Sequence, residues 1–239
     1  MSWGYGYRQY ETVAERKAKA ANRLEKLRKA NPLVAPILIT GRTIARTWWA
    51  KSWNDNLESY ADFSNRIDRG KSYLKSDMVL DLAIEEGLVN AQVLGSGSKL
   101  YHVIVSIDKL PEKKWHQIVE ECGRQISSTA ELAAGVFPKE FGARFLDQRN
   151  GLFPSPQEIH FSCTCPDWAY MCKHVAAVLY GIGARFDEDP LLFFKLRGIP
   201  YEGLLKESVE SNIAQLLANA DNTSPRILTD IDIEGIFGL

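Results

Sequence analysis

Three of the four cysteines and one of the four histidines lie within a twelve-residue stretch, residues 163–174. They are Cys163, Cys165, Cys172 and His174, with the spacing C-x-C, six residues, C-x-H. Structural zinc sites are tetrahedral and are closed by four cysteine or histidine ligands. The spacing therefore predicts one bound Zn²⁺ ion. Because four protein ligands leave no position for a water molecule, the ion is predicted to be structural rather than hydrolytic.

Other uses of these cysteines fit the pattern less well. Cysteines are often small buried hydrophobic residues, but such close spacing followed by C-x-H is unusual for that role. A disulfide between Cys163 and Cys165 would be strained, and nothing marks the chain as secreted. A reactive thiolate at Cys172 stays open as an alternative, since the start of a helix would acidify that thiol.

Two short elements would position the four ligands. Residues 158–162 form an extended run, and residues i and i+2 of a strand share a face, so Cys163 and Cys165 can aim at one point. Pro166 lacks an N–H group and would end the strand ladder.

The apolar run 175–180 predicts a helix just after the last two ligands. Helical residues at i and i+2 diverge by about 200°. Cys172 is therefore expected at or just before the helix start, and His174 in the first turn, where the helix dipole favours thiolate charge.

The spacing resembles a known family. C-x-C-x(n)-C-x-H is the SWIM zinc finger pattern, and all four ligand positions match it. Further stretches are similar to the bacterial SWIM proteins, namely 165–168, 173–178, 49–53, 60–63 and 70–73, so that the resemblance covers roughly residues 40 to 200. It implies a nucleic-acid-associated or partner-binding module that works alongside a Swi/Snf-type helicase-like ATPase.

Length and composition indicate an ordinary globular chain. The 239 residues allow one large or two small domains, with 45% hydrophobic and 25% charged residues. No apolar run approaches the roughly 18 residues that span a bilayer. The first residues lack the layout of a signal peptide. Reduced cysteines and a cytoplasmic location are therefore expected.

Charge is unevenly distributed along the chain. Residues 1–75 contain 15 lysines and arginines against 7 acidic residues, whereas the remainder contains 14 against 23. A basic N-terminal third is a candidate phosphate-binding surface. Alternatively, it pairs with the acidic part inside one fold.

The basic N-terminal region contains a predicted helix. Thr12 and Glu15 form a capping box, helix-forming residues continue to Lys29, and Asn31-Pro32 ends the run. Its basic residues surround a thin apolar stripe of Ala14, Ala21 and Leu24, and two alternatives stay open, a helix that lies on phosphates and a solvated peripheral helix.

A mixed basic and aromatic stretch follows at residues 42–53. Rings and cations in alternation are typical of proteins that bind single-stranded nucleic acid. Trp49 and Trp53 are spaced i,i+4 and are predicted to lie in the core. The nucleic-acid contacts are predicted to be Arg42, Arg46 and Lys51.

Alternating patterns then predict strands over 78–84, 88–94 and 100–107. Together with 71–74, they are expected to form a four-stranded antiparallel meander. Beyond residue 108 the chain is predicted to be mainly helical. Helices are expected over 111–126 (with Trp115, Ile118, Val119 and Cys122 buried), 138–146, 190–197 and 204–219, followed by an alternating tail at 227–237.

These patterns predict an α+β protein. Its predicted regions are a basic helical part (1–40), a mixed part with the meander (41–110), a helical part with the finger at about 157–185 (111–200), and a C-terminal helix and tail (201–239).

We expect a structural-zinc module that binds nucleic acid, DNA rather than RNA, with a helicase-like ATPase as partner. The alternative is a protein–protein adaptor that docks through the finger without touching nucleic acid. An enzyme is not expected, because the sequence has no nucleotide-binding glycine motif and no H-E-x-x-H.

Overall fold

The computed structural model of the protein describes residues 11–59, 64–122 and 151–200, together with positions 142, 147, 213 and 217. These residues form an α+β fold with a four-stranded antiparallel sheet. The helices are α1 (Val13–Ala30), α2 (Trp48–Ser59), α3 (Ser64–Lys75), α4 (Glu112–Cys122), α5 (Lys173–Glu188) and α6 (Leu191–Leu196). The strands are β1 (Val79–Glu85), β2 (Leu88–Leu94), β3 (Leu100–Ile107) and β4 (Ile159–Cys163).

The sheet has the order β1-β2-β3-β4, and every neighbouring pair is antiparallel. The three strands predicted between residues 78 and 107 are confirmed. The predicted fourth strand is wrong, because residues 71–74 belong to α3 and the fourth strand is β4. A four-residue run is too short for alternation to distinguish a strand from a helix end. The sheet therefore includes the strand that carries Cys163.

Helix α5 is the buried centre of the fold, since all residues from His174 to Ala184 are buried. It packs against α3, α2 and the sheet. The closest approach is at Gly70 of α3, where an added Cβ would lie 2.5 Å from the Cβ of Ala176. Only a glycine lets α3 lie this close to α5.

Helix α1 begins with the predicted Thr12–Glu15 capping box and ends before Asn31, as expected. The residues buried on α1 are Ala20 and Leu24, whereas Ala14 and Ala21 of the apolar stripe are exposed. Alanine side chains bury too little area to set the rotation of a helix. Polar contacts help to set it instead, for example the 3.0 Å ion pair between Lys17 and Asp77.

Helices α4 and α6 fall where the sequence places them. Trp115 and Ile118 of α4 are buried, and the positive φ of Gly198 (61°) follows the end of α6. The predicted helix over 138–146, the helix over 204–219 and the tail lie outside the described residues, apart from Gly142 and the exposed, helical Ile213 and Leu217.

None of the described helices combines the length and the apolar character that crossing a bilayer requires.

Candidate metal centre

The first two ligands lie at the end of β4. Cys163 is opposite Val103 of β3 in the antiparallel register. The pairing continues one residue further, since the Thr164 N–H donates to the His102 carbonyl at 3.1 Å and the His102 N–H donates to the Thr164 hydroxyl at 3.0 Å. The strand that the sequence predicts before Cys163 is therefore present. Its end is held in place by its hydrogen bonds to β3.

The other two ligands lie at the start of α5. Cys172 is the N-cap residue with extended backbone, and its carbonyl accepts from the Ala176 N–H at 3.0 Å. His174 follows in the first turn and is buried. This is the arrangement expected from the divergence of positions i and i+2 on a helix.

The four side chains converge on one point. One ligand atom from each of Cys163, Cys165, Cys172 and His174 lies within 4.8 Å of the other three. The Sγ atoms of Cys163 and Cys172 are each 3.9 Å from His174 Nδ1. In a tetrahedral site with Zn–S bonds of about 2.3 Å and Zn–N bonds of about 2.0–2.1 Å, sulfur and nitrogen ligand atoms stand about 3.6 Å apart. Three thiols and one imidazole are also the donor set that zinc prefers. These residues are positioned to bind one zinc ion.

The three thiols do not titrate alike. A hydrogen bond shared with Cys163 lowers the pKa of Cys172, and the same bond raises the pKa of Cys163. Burial raises the pKa of Cys165. A zinc ion at this point would supply positive charge that stabilises all three thiolates and would join β4 to α5.

Two aromatic rings hold the imidazole of His174. The Tyr101 ring lies against it at a centroid distance of 4.7 Å, and the Tyr73 ring meets it edge-on at 5.4 Å. Since Nδ1 faces the thiols, Nε2 is the atom that points away. It is buried without a hydrogen-bond partner among the described residues. Among the described residues, therefore, it is aromatic packing that orients this ligand.

The finger loop, defined here as residues 166–171, joins the two ligand pairs. Arg66 of α3 donates from both terminal nitrogens to the Asp167 carboxylate, at 2.5 and 3.2 Å. The Ala169 N–H also donates to Asp167 at 3.2 Å, and the Tyr170 ring packs on Phe161 at 4.6 Å. The loop is thus attached to α3, to itself and to β4.

The predicted nucleic-acid residues lie elsewhere. Arg42, Arg46 and Lys51 are exposed, but the N–H of Arg46 donates to Asp187 near the C-terminal end of α5. At 1.5 Å per residue, Asp187 lies about 20 Å along α5 from His174. Arg46 therefore lies at the opposite end of α5 from the finger. The role of all three cations in binding stays a prediction.

The two neighbouring tryptophans behave as predicted. Trp53 is fully buried and donates to the Leu179 carbonyl at 3.0 Å. Trp49 is partly buried against the core and donates to the Phe186 carbonyl at 3.0 Å. Neither indole is an open stacking surface.

Other residues reach the finger without any signal in the sequence. Arg66 and Asp167 are 101 positions apart, so their pairing follows from the packing of α3 on α5. Lys19 of α1 donates to the Ser96 carbonyl at 2.7 Å, and Ser96 lines a cleft of about 220 Å³ beside the metal ligands, together with Tyr101, Cys165, Pro166, Asp167, Lys173 and His174. The basic N-terminal third thus adjoins the finger.

The fold and the four converging ligands define an α+β protein with a site positioned to bind one zinc ion. Residues 160–181 match the SWIM zinc finger, so the chain contains a SWIM zinc finger.

One relative extends the comparison beyond the finger. "Uncharacterized protein Rv2102" of Mycobacterium tuberculosis (strain ATCC 25618 / H37Rv) is 33% identical to the chain over 187 residues, which are 78% of this chain and 65% of that protein. The chain therefore matches just under two thirds of that relative's length. No solved structure gives a significant match.

Proposed function

We propose that the chain is a nucleic-acid-binding module, directed at DNA rather than RNA, whose structural zinc holds its binding surface together. In this function the zinc performs no chemistry. Four protein ligands support this, because they leave no open coordination position for a substrate or a water molecule. The proposal thus includes that the chain itself is not an enzyme.

The observation that carries this function is the set of cations around the finger. Arg69, Lys99 and Lys173 form no ion pair with any described carboxylate. Cations that no carboxylate neutralises are available to phosphates. We name these three residues the finger cations.

Contacts place Lys173 and Lys99 at the site, and helical spacing places Arg69 there. Lys173 lines the cleft beside the ligands. Lys99 lies 5.7 Å from the centre of the Tyr101 ring, which packs on His174. Arg69 is exposed, and it follows Arg66 by three positions and precedes Tyr73 by four.

Because both Arg66 and Tyr73 contact finger residues, helical spacing places Arg69 on the same side of α3. The finger cations therefore come from α3, from the β2–β3 turn and from α5.

The proposed partner is a Swi/Snf-type helicase-like ATPase, which follows from the resemblance to bacterial SWIM proteins. In such an assembly the chain would hold DNA while the ATPase moves it. The expected location of the chain in this role is the cytoplasm.

The test is DNA binding across a salt series with the zinc-loaded full chain. Affinity for duplex DNA should fall steeply with salt, with a slope of about −0.9 per phosphate neutralised. Removing Arg69 and Lys99 together should reduce the slope by about two if both contact phosphates.

The matched variant removes Arg42 and Arg46, at the other end of α5. If only this variant reduces the slope, the binding surface is the one predicted from the sequence. Absence of DNA binding by the wild type at low salt contradicts the proposed function.

A protein–protein adaptor is the second candidate. Leu33 is 88% exposed and Leu38 is 55% exposed, both in the segment between α1 and α2. Apolar side chains in solvent suit a protein contact whose affinity changes little with salt. Two results together would favour the adaptor. The chain would bind the ATPase with an affinity that does not change with salt and is lost when both leucines are replaced by serine, and it would not bind DNA.

A further inference from the structure

We propose that Trp168, at the tip of the finger loop, stacks on an unpaired base of single-stranded DNA. This inference rests on the proposed function and specifies the ligand, a strand whose bases are free, and the side chain that reads it. The surrounding finger cations would hold the phosphates of the same strand.

Trp168 is 94% exposed, although tryptophan is usually well buried. Trp53 and Trp115 follow the usual rule and are buried. An indole left almost entirely in water forgoes the free energy that burial would supply. Such exposure is expected where the ring is used to bind something.

The finger loop holds Trp168 between two fixed points. Asp167 is attached to Arg66 by the paired hydrogen bonds and to the Ala169 N–H by a third. The Tyr170 ring packs on Phe161 and is itself 69% exposed. Since Asp167 and Ala169 flank Trp168 directly, little backbone freedom would be lost on binding, which favours affinity.

The residues around the loop suit a nucleic acid better than a protein. The cores of protein interfaces are depleted in lysine and contain contiguous apolar area. Here the exposed rings of Trp168 and Tyr170 are accompanied by Arg69, Lys99 and Lys173 instead. Aromatic rings among cations are the pattern of single-strand binders, in which rings take bases and cations take the backbone.

The same geometry favours a single strand over a duplex. A ring can stack only on a base face that is not already covered by a neighbouring base. In a duplex these faces are covered, and exposing one requires a base to be unstacked and unpaired. In a single strand the faces are available, and any base can be used because each has an aromatic face.

The experiment measures binding of the zinc-loaded full chain to an oligothymidylate of roughly twenty nucleotides, longer than the site of one typical single-strand binder. A duplex of the same length is measured in parallel. The variants are Trp168→Ala, Trp168→Phe, Arg69→Ala with Lys99→Ala, and Trp48→Phe. Trp48, near Arg46, is the matched tryptophan control.

We expect Trp168→Ala to weaken oligothymidylate binding about tenfold and to leave duplex binding unchanged. Trp168→Phe should retain most of the affinity, because the ring is kept. The double variant Arg69→Ala, Lys99→Ala should weaken binding of both the oligothymidylate and the duplex. Tryptophan emission should be quenched by the oligothymidylate in the wild type and in Trp48→Phe, but not in Trp168→Phe.

Two results would overturn the inference while leaving the proposed function intact. One is wild-type affinity of Trp168→Ala for the oligothymidylate, with binding still dependent on Arg69 and Lys99. The other is loss of a protein partner in Trp168→Ala with DNA binding unchanged. If the wild type binds neither ligand at low salt, the proposed function fails and the inference fails with it.

Discussion

Arg66 and Asp167 join helix α3 to the finger loop through two parallel hydrogen bonds, although 101 residues separate them in the chain. Both side chains are 20% exposed, so solvent screens the pair only partly. The planar guanidinium matches the two carboxylate oxygens, which fixes direction as well as distance. The metal centre is therefore supported from outside its own motif.

Removing this pair should loosen the finger. We expect Arg66→Ala to lower the free energy of unfolding by about 1.5–3 kcal/mol, the range for hydrogen bonds to charged groups. Zinc should also pass to a chelator faster than in the wild type. Arg66→Lys should recover only part of the effect, because lysine cannot form the paired contact. Urea unfolding and zinc release are the measurements.

A control for this prediction is the Glu25–Lys29 ion pair of α1, which is 2.8 Å long and exposed by 68% and 74%. Glu25→Gln should change the free energy of unfolding by less than about 0.5 kcal/mol and leave zinc release unaffected. Equal effects of Arg66→Ala and Glu25→Gln would contradict the role assigned to Arg66.

Loss of one zinc ligand should undo the finger locally. Cys165→Ser should reduce zinc content from one ion per chain to well below one and lower the melting temperature, because metal binding and folding of the unit are linked. Cys122→Ser is the matched control, since Cys122 lies outside the C-x-C, six residues, C-x-H pattern. Full zinc content and an unchanged melting temperature in Cys165→Ser would contradict the site.

Local signals in the sequence predicted much of this structure. The capping box at Thr12 and Glu15, the three alternating strands and the four ligands all depend on residues close together in the chain. Such local patterns predict geometry directly, because the period of a strand or a helix determines which side chains share a face. The finger could be predicted for this reason.

Long-range packing was not predictable in the same way. Strands β3 and β4 pair although about fifty residues separate them in the chain. The hydrophobic periodicity of the sequence does not indicate such a distant partner. The rotation of α1 depends on contacts with distant residues such as Asp77, and the exposure of Trp168 depends on how the finger loop is held. Within the 42–53 stretch, by contrast, the i,i+4 spacing of Trp49 and Trp53 predicts a core position, and the structure buries Trp53.

The close approach of α3 to α5 makes Gly70 sensitive to substitution. Gly70→Ala would place a Cβ 2.5 Å from the Cβ of Ala176 and 2.9 Å from its backbone carbon. Alanine improves helix propensity by about 1 kcal/mol, but overpacking against a rigid backbone costs about 1–3 kcal/mol. We expect a net loss of stability in urea unfolding.

Gly97→Ala is the matched glycine variant, because nothing lies within 4 Å of its added Cβ. It should shift the free energy of unfolding by no more than about 0.5 kcal/mol. If Gly70→Ala were as stable as the wild type, α3 could move away from α5 without cost, and the packing described here would be incorrect.

The last prediction concerns pH and the ion pair between Glu158 and Arg197. Arg197 is fully buried and donates to Glu158 at 2.8 Å, and the Ser155 N–H donates to the same carboxylate at 2.8 Å. Burial alone would raise the pKa of Glu158, but these hydrogen bonds outweigh it and lower that pKa. The pair joins the end of α6 to the residues just before β4.

A carboxyl group whose pKa is lowered by folding stabilises the protein above its ordinary pKa, and the contribution is lost as the pH falls through the lowered value. At neutral pH, Glu158→Gln should therefore reduce the free energy of unfolding by about 3 kcal/mol, since it leaves a buried guanidinium without its counter-charge. The difference between wild type and variant should shrink below about pH 4.5.

The zinc ligands also take up protons in acid, but this effect is shared by the wild type and Glu158→Gln. Comparing these two proteins at each pH therefore removes it. Glu86→Gln serves as the control, because its ion pair with Lys109 is exposed on both sides. That variant should stay close to the wild type from pH 7 to about pH 4 in the same unfolding experiment. A Glu158→Gln deficit that is constant over this range would mean that Glu158 acts through packing and not through its charge.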